Sequence, residues 1–515
     1  MKGRGRTKIA GLALAAFAGA AVMVVELGVA RVLTPVFGGS ISVWAIVIAT
    51  TMLALAAGYA FGGYRADRIG GVVVASRAAV IGALLCAVIP LVRVPLIEAT
   101  IGFSTLYGAT VVAIVLIAPA LFFLSQVSPA LIRGLAGDGA THVGVTAGGI
   151  YAISTLGSLF GTLAAVWLFL YLPLLTGFVA TAVLVVMPVL LLRPVAAGVG
   201  AGLAGAGAML MVSLDYAAVL SVQHANGDHG YALLDTRHSP YGELRVIERD
   251  GRVRYMVVNG FDQGGIFLET GVSAYNFDDG LVGVARMYAA ATERVLLIGL
   301  GPGVIATTLT NNNLQVDVVE IDAEVVRAAR DYFGYRGEAI IDDGRRFLQR
   351  TNGTWDVIIV DAFAGGSPPW QLYTQEAFTL YQKHLNPGGV VVLNVIGNHL
   401  DPAQRPALEA VVSTARQVFS TVDVYPNPWV KKDLPMRNIF IAAATAPLDP
   451  ERREQGDPFA VDSLLTAIAR SRPVEVGEGR VLTDDSAPLE PLVRRTTEIL
   501  RNRIQEYIPV GLLIR

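Results

Sequence analysis

Long apolar stretches dominate the first part of the chain, near residues 9–30, 42–62, 72–94, 107–132, 146–170, 172–192 and 196–213. Most reach the ~20 residues that a helix needs to cross hydrocarbon. After residue 220 the pattern breaks into short alternating segments. "YGELRVIERDGRVRYMVVNG" carries turn signals at Gly242 and at Asp250-Gly251, the latter suited to a hairpin. A helical stretch near 271–290 follows. Strands are then expected at 294–298, 315–320, 338–341, 355–360, 389–394, 422–425 and 438–443, with helices between them. Such alternation predicts a mostly parallel sheet covered by helices on both faces. The expected organisation is therefore a membrane domain of about seven helices over 1–220, a small β subdomain with a connecting helix over 221–290, and a Rossmann-like nucleoside-binding domain over 291–515.

Composition sharpens this division. The chain of 515 residues is 53% hydrophobic and 16% charged, and the charges fall largely after residue 220. A formal net charge of -2 gives no polybasic footprint, so no nucleic-acid partner is expected. A single cysteine, Cys86, excludes disulfides within the chain and a thiolate metal cluster. No metal is expected: His224 and His229 read better as parts of a solvated loop than as ligands.

Basic residues order the membrane half. Lys2, Arg4, Arg6 and Lys8 precede the first run, which resembles a signal peptide but reads better as an anchor given the runs that follow. Arg65 and Arg68 follow the second run, Arg133 the fourth and Arg193 the sixth. If every run crosses, these loops share one side, which should be cytoplasmic in a multi-pass cell-membrane protein. Seven crossings would put the C-terminal half outside, whereas the supply of nucleoside cofactors favours the cytoplasm; both placements stand. The third run has only 15 residues between Arg77 and Arg93 and crosses only if both ends snorkel. Gly58/Gly62 and Gly157/Gly161 have the spacing of close helix contacts. Glu26 is an acid within an apolar run, either a structural acid paired near Arg31 or a substrate contact.

Candidate chemistry gathers at the expected carboxyl ends of the strands, where such sheets bind ligands. Gly299, Gly301 and Gly303 in "GLGPGV" allow a tight turn and close approach of a ligand. Glu320 ends the next strand, where a carboxylate can accept from both ribose hydroxyls. Asp342 or Asp343 in "IIDDGRRFL" can accept from an adenine amino group, and Asp361 in "WDVIIVDAF" lies where a transferred group would sit. Each acid alone is commonly a cap or turn residue; four strand ends bearing glycine or acid in order make a site.

These residues together resemble the spermidine synthase (polyamine aminopropyltransferase) family, within the class I S-adenosylmethionine-dependent fold. "SPYGELRV" is similar to the family's first strand, "VVNGFDQ" to its "LDGxxQ" hairpin, and the glycine loop, "VEID", "DDGRRFL" and "WDVIIVDAF" follow in family order. "VELGVARVLTPVFGGSISVW", "GGYRADR" and "GIYAISTLGSLFGTL" resemble the N-terminal half of bacterial membrane-fused spermidine-synthase-like proteins. The resemblance implies roles for Glu320 (ribose), Asp343-Gly344 (adenine side), Gln263 (hairpin), Tyr241 and Tyr275 (acceptor side) and Asp361 (catalysis).

Four positions depart from the family pattern. The second catalytic acid is replaced by Ala364. Asn276 and Phe277 follow Tyr275 in place of histidine and glutamate. Gly242 stands for a glutamine, and Pro302 for the acid expected to hold the donor's amine. Aminopropyl transfer needs a neutral amine, whereas free polyamines are protonated near neutral pH. A site left with Asp361 as its acid should bind a diamine poorly. Two features bear on this. Asp484, Asp485 and Glu490 in "LTDDSAPLEPL" form either a helix cap with a proline turn or an acidic lid. The loop "DAFAGGSPPWQLYT" brings Phe363, Trp370 and Tyr373 near the site, with Gly365-Gly366 free to move; Trp370 either lines the acceptor pocket or packs the loop onto the sheet.

The expected function is a membrane-anchored transferase moving an aminopropyl group from decarboxylated S-adenosylmethionine to an amine. The alternatives are an S-adenosylmethionine-dependent methyltransferase acting on a lipid or other membrane-delivered acceptor, and a nucleoside-binding transporter or sensor. A homodimer is compatible with each.

Overall fold

The structure, a computed structural model, describes residues 2–38, 41–100, 102–136, 143–171, 174–192, 223–225, 229–288, 293–363, 366–430, 434–447, 472–509 and 512–513, with the single residues 205 and 207. The apolar run at 196–213 lies almost wholly outside them, as do Ala364, Gly365 and the side chains of His224 and Glu490. The chain divides into two compact units, Met1–Ser221 with Val510–Arg515, and Val222–Pro509.

The first unit is helical: α1 (Lys2–Phe37), α2 (Ile41–Ile69), α3 (Gly71–Thr100), α4 (Thr105–Ser125), α5 (Val127–Ala136), α6 (Val143–Tyr171) and α7 (Leu174–Leu192). Among the described residues five stretches are long and apolar enough to cross a membrane, with α4 and α5 together making one of them; in α7 the apolar stretch, Thr176–Leu192, is shorter. The third run is less marginal than its arginine spacing suggests. Helix α3 extends seven residues beyond Arg93, which is buried, so its length is not set by the distance between the arginines. Small residues form the helix contacts. A Cβ on Gly157 would fall 2.0 Å from the Ala16 carbonyl oxygen, and one on Gly161 2.5 Å from Ala20 Cα, so α6 lies backbone against backbone on α1. Gly58 and Gly62 stand in the same way against Ser125 and Gln126, where α4 gives way to α5. Arg31 donates to the Phe169 carbonyl of α6.

The second unit holds two sheets. The strands β1 (Gln223–Ala225), β2 (His229–Ser239), β3 (Gly242–Arg249), β4 (Val253–Val258) and β5 (Phe261–Phe267) form an antiparallel meander. Asp250 and Gly251, both at positive φ, make its predicted turn. Gly242 has φ +148°, and a Cβ there would lie 2.1 Å from the Asn259 side chain. The position that carries glutamine in the family pattern is thus filled by Asn259.

Helix α8 (Phe277–Tyr288) leads into the main sheet. It begins later than the sequence pattern suggests, because Gly271 turns the chain at φ +69° and Ser273 bridges back to Ile266. The main sheet contains β6 (Arg294–Ile298), β7 (Gln315–Glu320), β8 (Ile340–Ile341), β9 (Trp355–Val360), β10 (Leu385–Gly397), β11 (Thr421–Pro426) and β12 (Arg437–Ala444). Their spatial order is β11-β12-β10-β9-β6-β7-β8. β12 is antiparallel to both neighbours, and the other neighbouring pairs are parallel. This is the strand order of the class I S-adenosylmethionine-dependent fold. β8 is shorter than expected and its two isoleucines are exposed, as befits an edge. β10 is longer, because a bulge between Leu385 and Val390 lets it extend around Gly388.

The helices of this sheet are α9 (Val304–Asn311), α10 (Ala323–Tyr332), α11 (Gly344–Arg350), α12 (Gln375–His384), α13 (Arg405–Ala415) and α14 (Leu489–Tyr507). One core layer contains Leu281, Val295, Leu297, Val357, Ile359 and Phe440; the other contains Leu296, Ile298, Ile358, Val360, Phe378 and Ile441. Alternate residues of the same strands face opposite layers, which is why the strands read as unbroken apolar runs.

Candidate active site

After β6 the chain moves outward to β7 and β8, then returns to the other side of β6 with β9. Ligands of such sheets bind beyond the carboxyl ends at this reversal. Gly299 and Asp361 leave the adjacent strands β6 and β9 together. Gly299 donates to Val319 O at 2.9 Å and Asp361 N donates to Ile298 O at 3.0 Å. A Cβ on Gly299, at φ +95°, would lie 2.1 Å from the Asp361 carbonyl oxygen, so only glycine fits. Gly301 and Gly303 also have positive φ, and Gly303 caps α9.

Glu320 stands at the end of β7 and is buried at 8% exposure. Its carboxylate accepts from Leu300 N at 2.8 Å and from Asp322 N at 2.9 Å. It therefore ties the glycine turn to the β7 end while its remaining lone pairs stay available for a ribose. Burial raises its pKa, and the backbone N–H groups oppose that rise. The acid thus takes part in the fold as well as ending the strand.

Asp343 caps α11, accepting from Arg346 N at 2.9 Å. Asp342 pairs with the Arg346 side chain, which lowers its pKa. Both are thus held by local structure at the third strand end, and the cap interpretation applies to Asp343. Gln263 donates to Phe261 O at 3.2 Å, and its own carbonyl lies 3.3 Å from where a Gly301 Cβ would be. The β5 turn thus rests on the glycine loop.

Asp361 is enclosed by the fold yet retains some surface. Asn394 of β10 donates to its Oδ1 at 2.8 Å, and Asn438 of β12 orients Asn394 at 3.1 Å. Burial pushes the Asp361 pKa up to about 6, with the Asn394 bond opposing.

Asp361 is not the only acid here, which corrects the sequence reading. Asp278 in the first turn of α8 is buried, accepts from Ser273 Oγ, and lies within electrostatic reach of Asp361 and Asp262. Burial is the largest cause of its strongly raised pKa. Asp262 of β5 accepts from Gly264 N at 2.8 Å, from Tyr507 Oη at 2.9 Å and from Tyr275 Oη. Burial raises its pKa as well. Tyr275 thus meets the site through Asp262. Asp278 could have been noticed one position beyond the glutamate expected at Phe277, and Asp262 immediately before Gln263. No sequence signal pointed to Tyr507, Asn394 or Asn438.

Tyr241 is half exposed in the β2–β3 turn, its carbonyl accepting from Asn259 at 3.0 Å. Trp370 is 45% exposed in a short 3-10 turn (Trp370–Leu372), so it does not pack the loop onto the sheet; the fully buried Tyr373 does, donating to Asn394 O at 3.3 Å. Phe363 is half-buried. Gly366 is close-packed, since a Cβ there would fall 2.3 Å from Phe261. Asp484 is bound by Arg345 at 2.5 Å and by Thr374 at 2.8 Å. That commits it to a structural pair rather than an open acidic lid. Asp485 is exposed in the adjoining turn.

Comparison with known proteins agrees with this geometry. A model of the spermine/spermidine synthase domain matches residues 276–429. A probable polyamine aminopropyl transferase from Bifidobacterium longum is 32% identical over 155 residues, covering 29% of this chain and 34% of its own. Polyamine aminopropyltransferase 2 from Hyperthermus butylicus is 27% identical over 249 residues, covering 45% of this chain and 76% of its own. The chain thus spans about a third of the length of one relative and three quarters of the other. A probable spermidine synthase structure from Corynebacterium glutamicum aligns with 48% of this chain and 96% of its own, at 21% identity and a TM-score of 0.40. Residues 276–429, which hold the glycine loop and the ordered strand-end acids, are thus similar to the spermine/spermidine synthase domain.

Proposed function

We propose that the protein is a membrane-embedded aminopropyltransferase that moves the aminopropyl group of decarboxylated S-adenosylmethionine to an amine acceptor. The observation that carries this reading is the set of three enclosed carboxylates, Asp262, Asp278 and Asp361, beside the glycine loop. Among the described residues their partners are Gly264 N, Tyr275 and Tyr507 for Asp262, Ser273 for Asp278 and Asn394 for Asp361, with no Lys or Arg among them. Buried acids grouped without a cation are costly, and a ligand that brings ammonium groups relieves the cost. The same lining counts against a lipid acceptor. Five long apolar helices support membrane embedding.

The residues suit the chemistry as follows. Gly299, Gly301, Gly303 and Glu320 would hold the nucleoside of the donor. Asp278 would hold the acceptor through an ammonium group, and Asp361 would take a proton from the attacking nitrogen. With its pKa pushed up to about 6, Asp361 is a better base than an ordinary aspartate, which narrows the gap to an ammonium by roughly 3 kcal/mol. The freed nitrogen lone pair forms a bond to the carbon next to sulfur, and the carbon–sulfur bond breaks with its electrons going to sulfur. Neutral methylthioadenosine leaves, the positive charge passes from sulfur to nitrogen, and one proton is released. Positioning supplies much of the rate in such a displacement.

The test is incubation of the full-length protein in detergent with decarboxylated S-adenosylmethionine and putrescine. Methylthioadenosine and spermidine should form in equal amounts and depend on Asp361. Nucleoside binding without either product would remove the reading. Methyl transfer from S-adenosylmethionine is the second reading, favoured by Pro302 in the glycine loop, and would yield S-adenosylhomocysteine instead.

A further inference from the structure

The proline in the glycine loop leaves the donor's amine without an acid on that loop, and β5 offers one from outside it. A Cβ on Gly264 would lie 2.9 Å from Pro302 Cγ, so strand β5 rests directly on Pro302. Asp262, two residues earlier, is fixed there by its bond to Gly264 N at 2.8 Å. Three tyrosine rings surround this carboxylate. Tyr255 lies 6.5 Å from Tyr275 and 5.9 Å from Tyr507, centroid to centroid, and both Tyr275 and Tyr507 donate to Asp262 Oδ2. An acid held among aromatic rings suits a primary ammonium on an alkyl stem. The charge meets the carboxylate, and ring faces accept both the stem and the edge of the cation.

We infer that Asp262 is the donor-specificity residue, holding the terminal ammonium of decarboxylated S-adenosylmethionine within the Tyr255–Tyr275–Tyr507 box. The inference rests on the aminopropyltransferase reading and deepens it. Asp278 and Asp361 then serve the acceptor. Ordinary S-adenosylmethionine carries a carboxylate next to the same ammonium, and that carboxylate would meet Asp262 with like charge. The box therefore selects for the decarboxylated donor. Tyr507 comes from the last turn of α14, so the C-terminal helix contributes to donor choice although it lies outside the segment matched by the family domain.

The test is calorimetric titration of the full-length protein in detergent with methylthioadenosine, decarboxylated S-adenosylmethionine and S-adenosylmethionine. Methylthioadenosine lacks the ammonium and reports the nucleoside site alone. The wild type should bind the decarboxylated donor at least ~10-fold more tightly than S-adenosylmethionine. Asp262→Asn should weaken the decarboxylated donor ~10- to 100-fold while leaving methylthioadenosine within ~3-fold. If Asp262→Asn loses nucleoside binding altogether, the wild-type ratio and Asp262→Glu, which should keep the preference, take its place. Unchanged donor selectivity in Asp262→Asn with intact methylthioadenosine binding overturns the role of Asp262. So does a wild type that prefers S-adenosylmethionine. A wild type that does not bind methylthioadenosine removes the transferase reading as well, so the two failures are distinguishable.

Discussion

The helical unit and the α/β unit bury opposite kinds of residue. Inside the helical unit, α1 meets α6 through Ala16, Ala20, Gly157 and Gly161, while Phe160, Leu163 and Trp167 of α6 face outward. Inside the α/β unit the large side chains are the core: Phe378, Phe440, Tyr381 and Trp355 are all below 3% exposed. For helices embedded in lipid, as proposed for this unit, burying a large side chain gains little, and close backbone packing holds them together. Where the surroundings are water, burial of apolar area is the driving force. A second contrast follows. The α/β unit also encloses Asp262, Asp278 and Asp361, an arrangement that costs stability and that the proposed transfer accounts for.

The largest expected effect tests that second contrast. Asp361→Asn should lower turnover ~10²- to 10⁴-fold, measured as methylthioadenosine release. Wild-type activity should rise with pH through about 6, as Asp361 loses its proton. Stability should change in the opposite sense. The pKa is raised on folding, so between about 4 and 6 the folded state holds more protons than the unfolded one, and stability falls as pH rises. At pH 8 the Asn variant should be more stable than wild type by on the order of 2 kcal/mol, and at pH 3.5 the difference should vanish. Thermal melts at the two pH values check this; a destabilised variant at pH 8 would mean that Asp361 is a structural acid.

Next come the two interiors. Phe440→Ala should cost ~3–5 kcal/mol in the α/β unit, by transfer and cavity terms together. Gly157→Leu should cost ~1–3 kcal/mol or more in the helical unit, because its side chain would run into the Ala16 backbone. Denaturation in detergent reads both. A tolerated Gly157→Leu would break the comparison by showing that α6 can separate from α1.

Glu320→Ala should have a smaller effect on the fold, roughly 1–3 kcal/mol, since Leu300 N and Asp322 N lose their acceptor. Donor binding should be lost along with it. Calorimetry with methylthioadenosine beside a thermal melt separates the two roles, and an unchanged melt would show that the glycine turn holds without this acid. Trp370→Ala should be smallest, within ~0.5 kcal/mol, because nearly half of the ring is exposed. A larger loss of stability would mean that the loop depends on it.

The two units differed in how far they could be read. The first six apolar runs located α1 to α7, the fourth covering both α4 and α5, and strand-sized apolar runs ended by glycine or acid located β6, β7 and β9. Those signals are local, and each depends on residues adjacent along the chain. The order of acids at the strand ends was likewise visible, because a parallel sheet gathers its carboxyl ends on one side. Glu320, Asp342, Asp343 and Asp361 fall there as expected, although Glu320 also supports the fold and Asp343 caps a helix.

What the sequence by itself determined was the change from long apolar helices to alternating strands and helices, the sheet with its glycine loop, and Asp361 at the end of β9. Tertiary structure alone decided which other acids join it. Asp262 comes from a hairpin, Asp278 from the start of a helix and Tyr507 from the far end of the chain; no spacing rule links them. Asp484, which read as a possible substrate acid, was claimed by Arg345 from a helix more than a hundred residues away. A carboxylate acts on a ligand or on the fold according to which charges and donors stand beside it, and those neighbours are set by packing rather than by position along the chain.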